Sequence, residues 1–274
     1  MGETTQGQEV RSFVKESYIG KLKRSKESAA NNEKGGNCCC GGSSDQKADE
    51  RFVRLLYSLD DIEGLNSEML YTTFGCGNPV SVATLKPGET VLDLGSGAGL
   101  DVLLSARIVG ECGKVYGLDM TEEMLATANA NKKAADIDNA EFIFGVIEDI
   151  PLDDGTVDCV ISNCVINLTA DKRAVMSEVK RVLKPGGRIA ISDILLHRPL
   201  PALVKNDKDC WSACISGALL IDECEAILSD LGFEDIGIDI IRTLDFSDNP
   251  DRMATIERLN AEERESFEGS VVSA

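Results

Sequence analysis

From Thr90 to Asp193 short apolar runs alternate with longer amphipathic ones, and this rhythm constrains the fold more than any other feature of the chain. The spacing predicts strands over 90–94, 114–119, 141–147, 157–163 and 188–193, with helices over 100–109, 121–135 and 171–183 between them. A Lys184-Pro-Gly-Gly187 turn precedes the last of these strands. Strands separated by helices pair in parallel, because a parallel return needs a long crossover. The expected class is therefore α/β, a doubly wound and mostly parallel sheet with helices on both faces.

The flanks read differently. Residues 1–30 carry Val10, Phe13, Val14 and Tyr18 at helical spacing, a stripe that needs a surface to cover. Residues 31–44, NNEKGGNCCCGGSS, deny any regular element a stable interior and form a loop bearing Cys38, Cys39 and Cys40. A second helical stretch covers 50–57. Beyond the sheet come a helical region around 207–220, a helix over 222–231 ending at Gly232, and a strand pair at the sheet edge. The expected organisation is an N-terminal helical extension with a Cys-rich loop over 1–70, the main domain over 71–241 with a cover near 200–220, and an acidic segment over 242–274.

Composition narrows the partners. A net charge of −19 repels phosphate backbones and anionic membrane surfaces, so neither nucleic acid nor membrane is expected. No run approaches the roughly 20 apolar residues of a membrane span, and the start lacks the apolar region of a secretory signal, so a cytoplasmic home is expected. In that compartment ten cysteines point to thiol chemistry more than to structural disulfides. Cys159, in an apolar strand, and Cys112, in a turn, fit the role of small buried hydrophobes.

The loop after the first strand is Asp93-Leu-Gly95-Ser-Gly97-Ala-Gly99. Its glycines let backbone approach a ligand in the crevice beyond the carboxyl ends of the strands. Leu100 stands where a dinucleotide fingerprint needs glycine, and Asp93 would repel a pyrophosphate but suit a cationic amino acid group. Asp119, ending the second strand, can accept bonds from both hydroxyls of a ribose. Ile147-Glu148 closes the third strand with an apolar residue on which an adenine ring could stack. Through VLDLGSGAG, GLDM, IEDIPL and LKPGGRIAISD the chain resembles the S-adenosylmethionine-dependent methyltransferases over about residues 75–240. The resemblance implies a Rossmann-like methyltransferase fold, S-adenosyl-L-methionine as methyl donor, and a binding set of Asp93, Gly95, Ser96, Gly97, Gly99, Asp119, Met120, Ile147, Glu148 and Asn163.

Three cysteines fall at the crevice: Cys76 in FGCGNP, Cys164 after the fourth strand in SNCVINL, and Cys214 in ACISGAL. They are far apart in sequence, so only the fold can bring them together. Soft thiolates hold thiophilic centres such as trivalent arsenic. These motifs, with the N-terminal cluster, resemble arsenite methyltransferases. That likeness implies that Cys76, Cys164 and Cys214 bind arsenic(III) and that one of Cys38, Cys39 and Cys40, with Cys39 the candidate, completes the catalytic set. It also implies arsenite or its thiol conjugates as substrate and a thiol reductant such as thioredoxin or glutathione. Taken singly, each crevice cysteine is equally a buried hydrophobe, and the triplet alone has a soft-metal or redox tail as its lesser alternative. His197 reads as a surface residue and Trp211 as packing. Two other readings stay open: methylation of another small molecule with incidental cysteines, and metalloid sequestration without turnover.

Overall fold

The computed structural model describes residues 5–30, 56–58, 62, 65, 75, 77–244 and 253–274. The long helix α1 (Thr5–Ala30) comes first, and the short α2 (Pro79–Val82) leads into the sheet. Strand β1 (Thr90–Leu94) is buried along almost its whole length, as a central parallel strand covered on both faces must be. Then follow α3 (Leu100–Val109), β2 (Lys114–Asp119), α4 (Glu122–Ala134), β3 (Ala140–Phe144), β4 (Val157–Asn163), α5 (Lys172–Val182) and β5 (Leu183–Ser192). The five strands form one parallel sheet in the order β3-β2-β1-β4-β5, the doubly wound arrangement expected.

Local chemistry explains the boundaries. Gly99 starts α3 at φ 91° and Gly110 ends it at φ 69°, both in the left-handed region. In α4, Glu122 and Glu123 lie in the first turn and Lys132 and Lys133 in the last, each matching the helix dipole. Asp171 caps α5 by accepting from Ala174 N at 2.9 Å, and Val175, Met176, Val179 and Val182 bury one face. The expected turn at 184–187 lies inside β5: Leu183 already pairs with Val157 before the register shifts and Arg188 meets Cys159.

After β5 the chain leaves the main sheet. It forms β6 (Ile194–Leu196), α6 (Ala202–Lys205), α7 (Lys208–Ser212), β7 (Leu219–Leu220), α8 (Ile221–Asp230) and β8 (Arg242–Thr243). The segment 253–274 adds α9 (Met253–Ile256), α10 (Ala261–Phe267) and β9 (Val271–Ser273). A second sheet runs β7-β6-β9-β8, with β9 antiparallel to both neighbours. The helical region expected over 207–220 is thus shorter: α7 stops at Ser212 because Cys214 takes φ 63° and turns the chain. The acidic tail, weakly patterned by sequence, buries Phe267, Val271 and Val272. No helix among the described residues is long and apolar enough to cross a membrane.

Candidate active site

A cleft of roughly 1100 Å³, counted to its open mouth, lies over the carboxyl ends of β1, β2 and β4. The glycine loop, Asp119 to Thr121, 145–148 and Asn163 to Val165 line it from the sheet side. Helix α1 closes the other side with Val10, Val14 and Tyr18, so the apolar stripe seen in sequence has found its surface. Arg11 ties the helix to Glu148 at 3.4 Å, and Lys21 Nζ donates to Ser212 O at 3.0 Å.

Of the ten residues expected at the cofactor site, nine line this cleft, and the tenth, Gly99, stands at the start of α3 just behind the glycine turn. Gly95 has φ 67°, and a Cβ there would overlap Val165. Gly97 N donates to Asp119 Oδ2 at 3.0 Å, while Thr121 binds the other carboxylate oxygen through its N–H at 2.8 Å and through its hydroxyl. Ser96 Oγ is buried with no hydrogen-bond partner among the described residues. Asp93 is held well above the usual carboxylate range by burial and then by Asp101 and Asp119. Burial also raises Asp101 and Asp119, against the hydrogen bonds each accepts. Three crowded buried carboxylates and an orphaned hydroxyl suit a ligand with a cationic end and polar atoms, as S-adenosylmethionine has.

Asn163 lines the cleft but its amide is committed elsewhere. Nδ2 donates to Tyr57 Oη at 3.2 Å, Gly77 O at 2.9 Å and Asp101 Oδ2 at 3.1 Å. Asp101 also accepts from Tyr57 Oη at 2.7 Å. A Cβ on Gly75 would overlap the Asn163 amide, and one on Gly77 would stand 2.6 Å from Ser192 Cβ. The two glycines therefore let the loop that carries Cys76 press against the sheet end. Cys76 itself, like Cys38, Cys39 and Cys40, lies outside the described residues. Tyr57 and Asp101 are functional candidates that sequence reasoning missed.

Cys164 and Cys214 come together. Both are buried, at 5% and 4% exposure, and both hold the left-handed backbone region uncommon outside glycine, at φ 55° and 63°. Cys164 N donates to Ser192 O at 2.8 Å, which sets it at the end of β4, and Cys214 Sγ approaches Cys164 O at 3.0 Å. Cys164 is in a disulfide whose partner lies outside the described residues, whereas Cys214 is in none. The cover segment reaches this far down because Gly217 packs against Asn167 O, where any side chain would collide.

Asp193, another residue missed, completes the cluster: its carboxylate and the sulfurs of Cys164 and Cys214 all lie within 4.8 Å of one another. Burial pushes its carboxyl up to about 7, partly offset by the N–H groups of Ile194 and Asn167 and by the charge of Lys172. Burial brings Lys172 down to about 8, with Asp193 opposing; its Nζ donates to Thr169 O at 2.6 Å. The Tyr18 hydroxyl, raised by burial and by the nearby Cys214, hydrogen-bonds that cysteine from α1. Trp211 Nε1 donates to Leu168 O at 3.2 Å, consistent with packing beside the thiols.

Cys210 packs in the same buried cluster as Cys164 and Cys214, whereas Cys159 and Cys112 stand apart. Cys159 is fully buried in β4 as expected, and burial raises its thiol to about 11. Cys112, expected to be buried, is exposed, in the Gly110–Gly113 turn that joins α3 to the start of β2. His197 is exposed.

Residues 85–245 match the model of a methyltransferase domain family. The chain is 40% identical over 231 residues to an arsenite methyltransferase of Halobacterium salinarum, a match covering 84% of this chain and 59% of the relative. It is 34% identical over 181 residues to the human arsenite methyltransferase, covering 63% of this chain and 48% of that one. It thus spans about half to three-fifths the length of these curated relatives. Among solved structures it superposes on CrArsM, an arsenic(III) S-adenosylmethionine methyltransferase from Chlamydomonas reinhardtii, with a TM-score of 0.61 and 34% identity over 73% of this chain and 68% of the other. The glycine loop, the sheet order, the paired cysteines and these likenesses agree that the chain belongs to the methyltransferase domain family and, within it, to the arsenite methyltransferases.

Proposed function

We propose that the chain transfers a methyl group from S-adenosylmethionine to trivalent arsenic held by Cys164 and Cys214. The observation that carries this reading is the meeting of two buried left-handed cysteines at the end of β4, beside a cleft crowded with carboxylates. S-adenosylmethionine supplies an electrophilic methyl on a sulfonium centre. Asp93 and Asp119 would hold its amino acid and ribose ends, Ile147 would carry the adenine ring, and α1 would exclude water from above.

Arsenite loads by exchange: As(OH)3 and two cysteine thiols give a dithiolate arsenic that keeps one hydroxyl, with release of two waters. An external thiol, of the glutathione or thioredoxin kind, must first open the Cys164 disulfide, forming its own disulfide in return. The arsenic lone pair then becomes the new As–C bond as the S–CH3 bond of the sulfonium breaks, its electron pair leaving on the sulfur of S-adenosylhomocysteine. This oxidises arsenic by two electrons, and a thiol pair oxidised to a disulfide restores the trivalent state. Cys76 and one of Cys38, Cys39 and Cys40 are the proposed partners in that exchange. No general base is needed. The chain acts by holding two reactants at attack distance in a dry cleft, an effect worth up to about 7–11 kcal/mol.

The test is incubation of the reduced protein with arsenite, S-adenosylmethionine and a thiol, with arsenic species separated and quantified. Methylated arsenic from the parent and none from Cys214→Ser is expected. Arsenic left wholly unmethylated by the parent overturns the reading.

A further inference from the structure

Building on that reading, we propose that Asp193 senses the third ligand of the bound arsenic: its carboxylate hydrogen-bonds the hydroxyl that unmethylated arsenic keeps beside two thiolates, and so biases the site towards arsenite over methylated arsenicals. Arsenic bridging two thiolates has one ligand left. In arsenite that ligand is a hydroxyl, which donates and accepts; after one methylation it is a methyl group, which does neither.

Asp193 is built to make this distinction. It is 6% exposed, with its carboxylate within 4.8 Å of both sulfurs. Oδ1 accepts from Ile194 N at 2.8 Å and Asn167 Nδ2 at 2.9 Å, which fixes the side chain. Beyond these two bonds Oδ2 has a longer contact, from Asn167 N at 3.3 Å, and the Ile166 N–H also acts on the carboxylate, which offers about four acceptor positions in all. Its backbone is pinned on both sides, since Asp193 N donates to Ala274 O at 2.9 Å and Ala274 N returns a bond at 3.0 Å. A rigid acceptor has little freedom to turn away when a methyl group takes the hydroxyl's place. It then stays buried beside an apolar group with an acceptor position unfilled. Sites made to bond a hydroxyl discriminate strongly against ligands that lack it.

The experiment measures binding without turnover. Trp211, the only tryptophan in the chain, lies three residues before Cys214 and reports on the site by fluorescence. Reduced wild-type protein and the variants Asp193→Ala and Asp193→Asn are titrated with arsenite and, separately, with methylarsonous acid, in the absence of methyl donor. Asp193→Asn keeps an oxygen for both Oδ1 bonds and so guards against a result due only to misfolding. Asp193→Ala is expected to weaken arsenite binding by about 10- to 100-fold while leaving methylarsonous acid unchanged or tighter, and Asp193→Asn to show the same asymmetry at a few-fold. If both variants shift the two ligands by the same factor, Asp193 is merely structural and the inference is overturned while the function stands. If arsenite fails to bind the reduced wild-type protein, the functional reading falls as well.

Discussion

A cysteine in a left-handed backbone is uncommon, and here two of them face each other across strand and cover segment. Cys159, with a thiol raised to about 11 and no exposure, is expected to resist iodoacetamide at pH 8 in the folded protein, whereas exposed Cys112 is modified readily. Peptide mapping after a timed pulse checks this, and equal labelling of the two would contradict the burial described. The motif cysteines Cys164 and Cys214 were legible in sequence because each stands in a distinctive short context. Asp193, Asp101 and Tyr57 were not, since their importance lies in partners 26 to 106 residues away that only the fold brings near. A usable signal did exist for Asp193: it directly follows a strand at the carboxyl edge of the sheet, where such folds place ligands.

At the scale of elements, α1 is a structural wall of the cleft as much as an extension. Val14, 3% exposed, lies on its cleft face. Val14→Asp is expected to weaken S-adenosylmethionine binding about tenfold or more by lifting the helix from the crevice, measurable by calorimetry. An unchanged affinity would remove α1 from the site. Elsewhere Arg188 on β5 clamps Glu89 with bonds of 2.8 and 2.7 Å and donates to Ala83 O at 2.6 Å, joining α2, β1 and β5. The Arg188 hydrogen bond holds the Glu89 carboxyl below its ordinary value. Because the folded pKa is the lower one, the contribution is present above the unfolded value near 4.3 and is lost as pH falls through the folded one. Glu89→Gln is expected to cost about 1 kcal/mol at pH 7, with the difference fading below about pH 4 in denaturation curves. Strand and helix order could be read from periodicity because each element buries a face. The bulge in β5 and the early end of α7 could not, because both answer to neighbours: Val157 and Cys159 across the sheet, Asn167 beneath the cover.

The whole molecule couples two sheets through one connection, Asp193, between β5 and β6. Strand β9, from the end of the described chain, runs between β6 and β8 and bonds the backbone of Asp193 through Ala274. Val272→Asp, placing a charge at a position with no exposure, is expected to cost about 3 kcal/mol or more and to impair arsenite binding as well as lowering Tm. Lost stability with intact arsenite affinity would show that the second sheet does not support the site. Sequence periodicity could not place this segment, because three residues of strand amid acidic helices carry too short a pattern to read.

The central claim, that Cys164 and Cys214 hold the arsenic, is tested most directly by X-ray absorption at the arsenic edge on reduced protein loaded with one equivalent of arsenite. The account predicts two sulfur neighbours and one oxygen, with one sulfur lost in Cys214→Ser. An oxygen-only environment, or a sulfur count unchanged by that substitution, would contradict it.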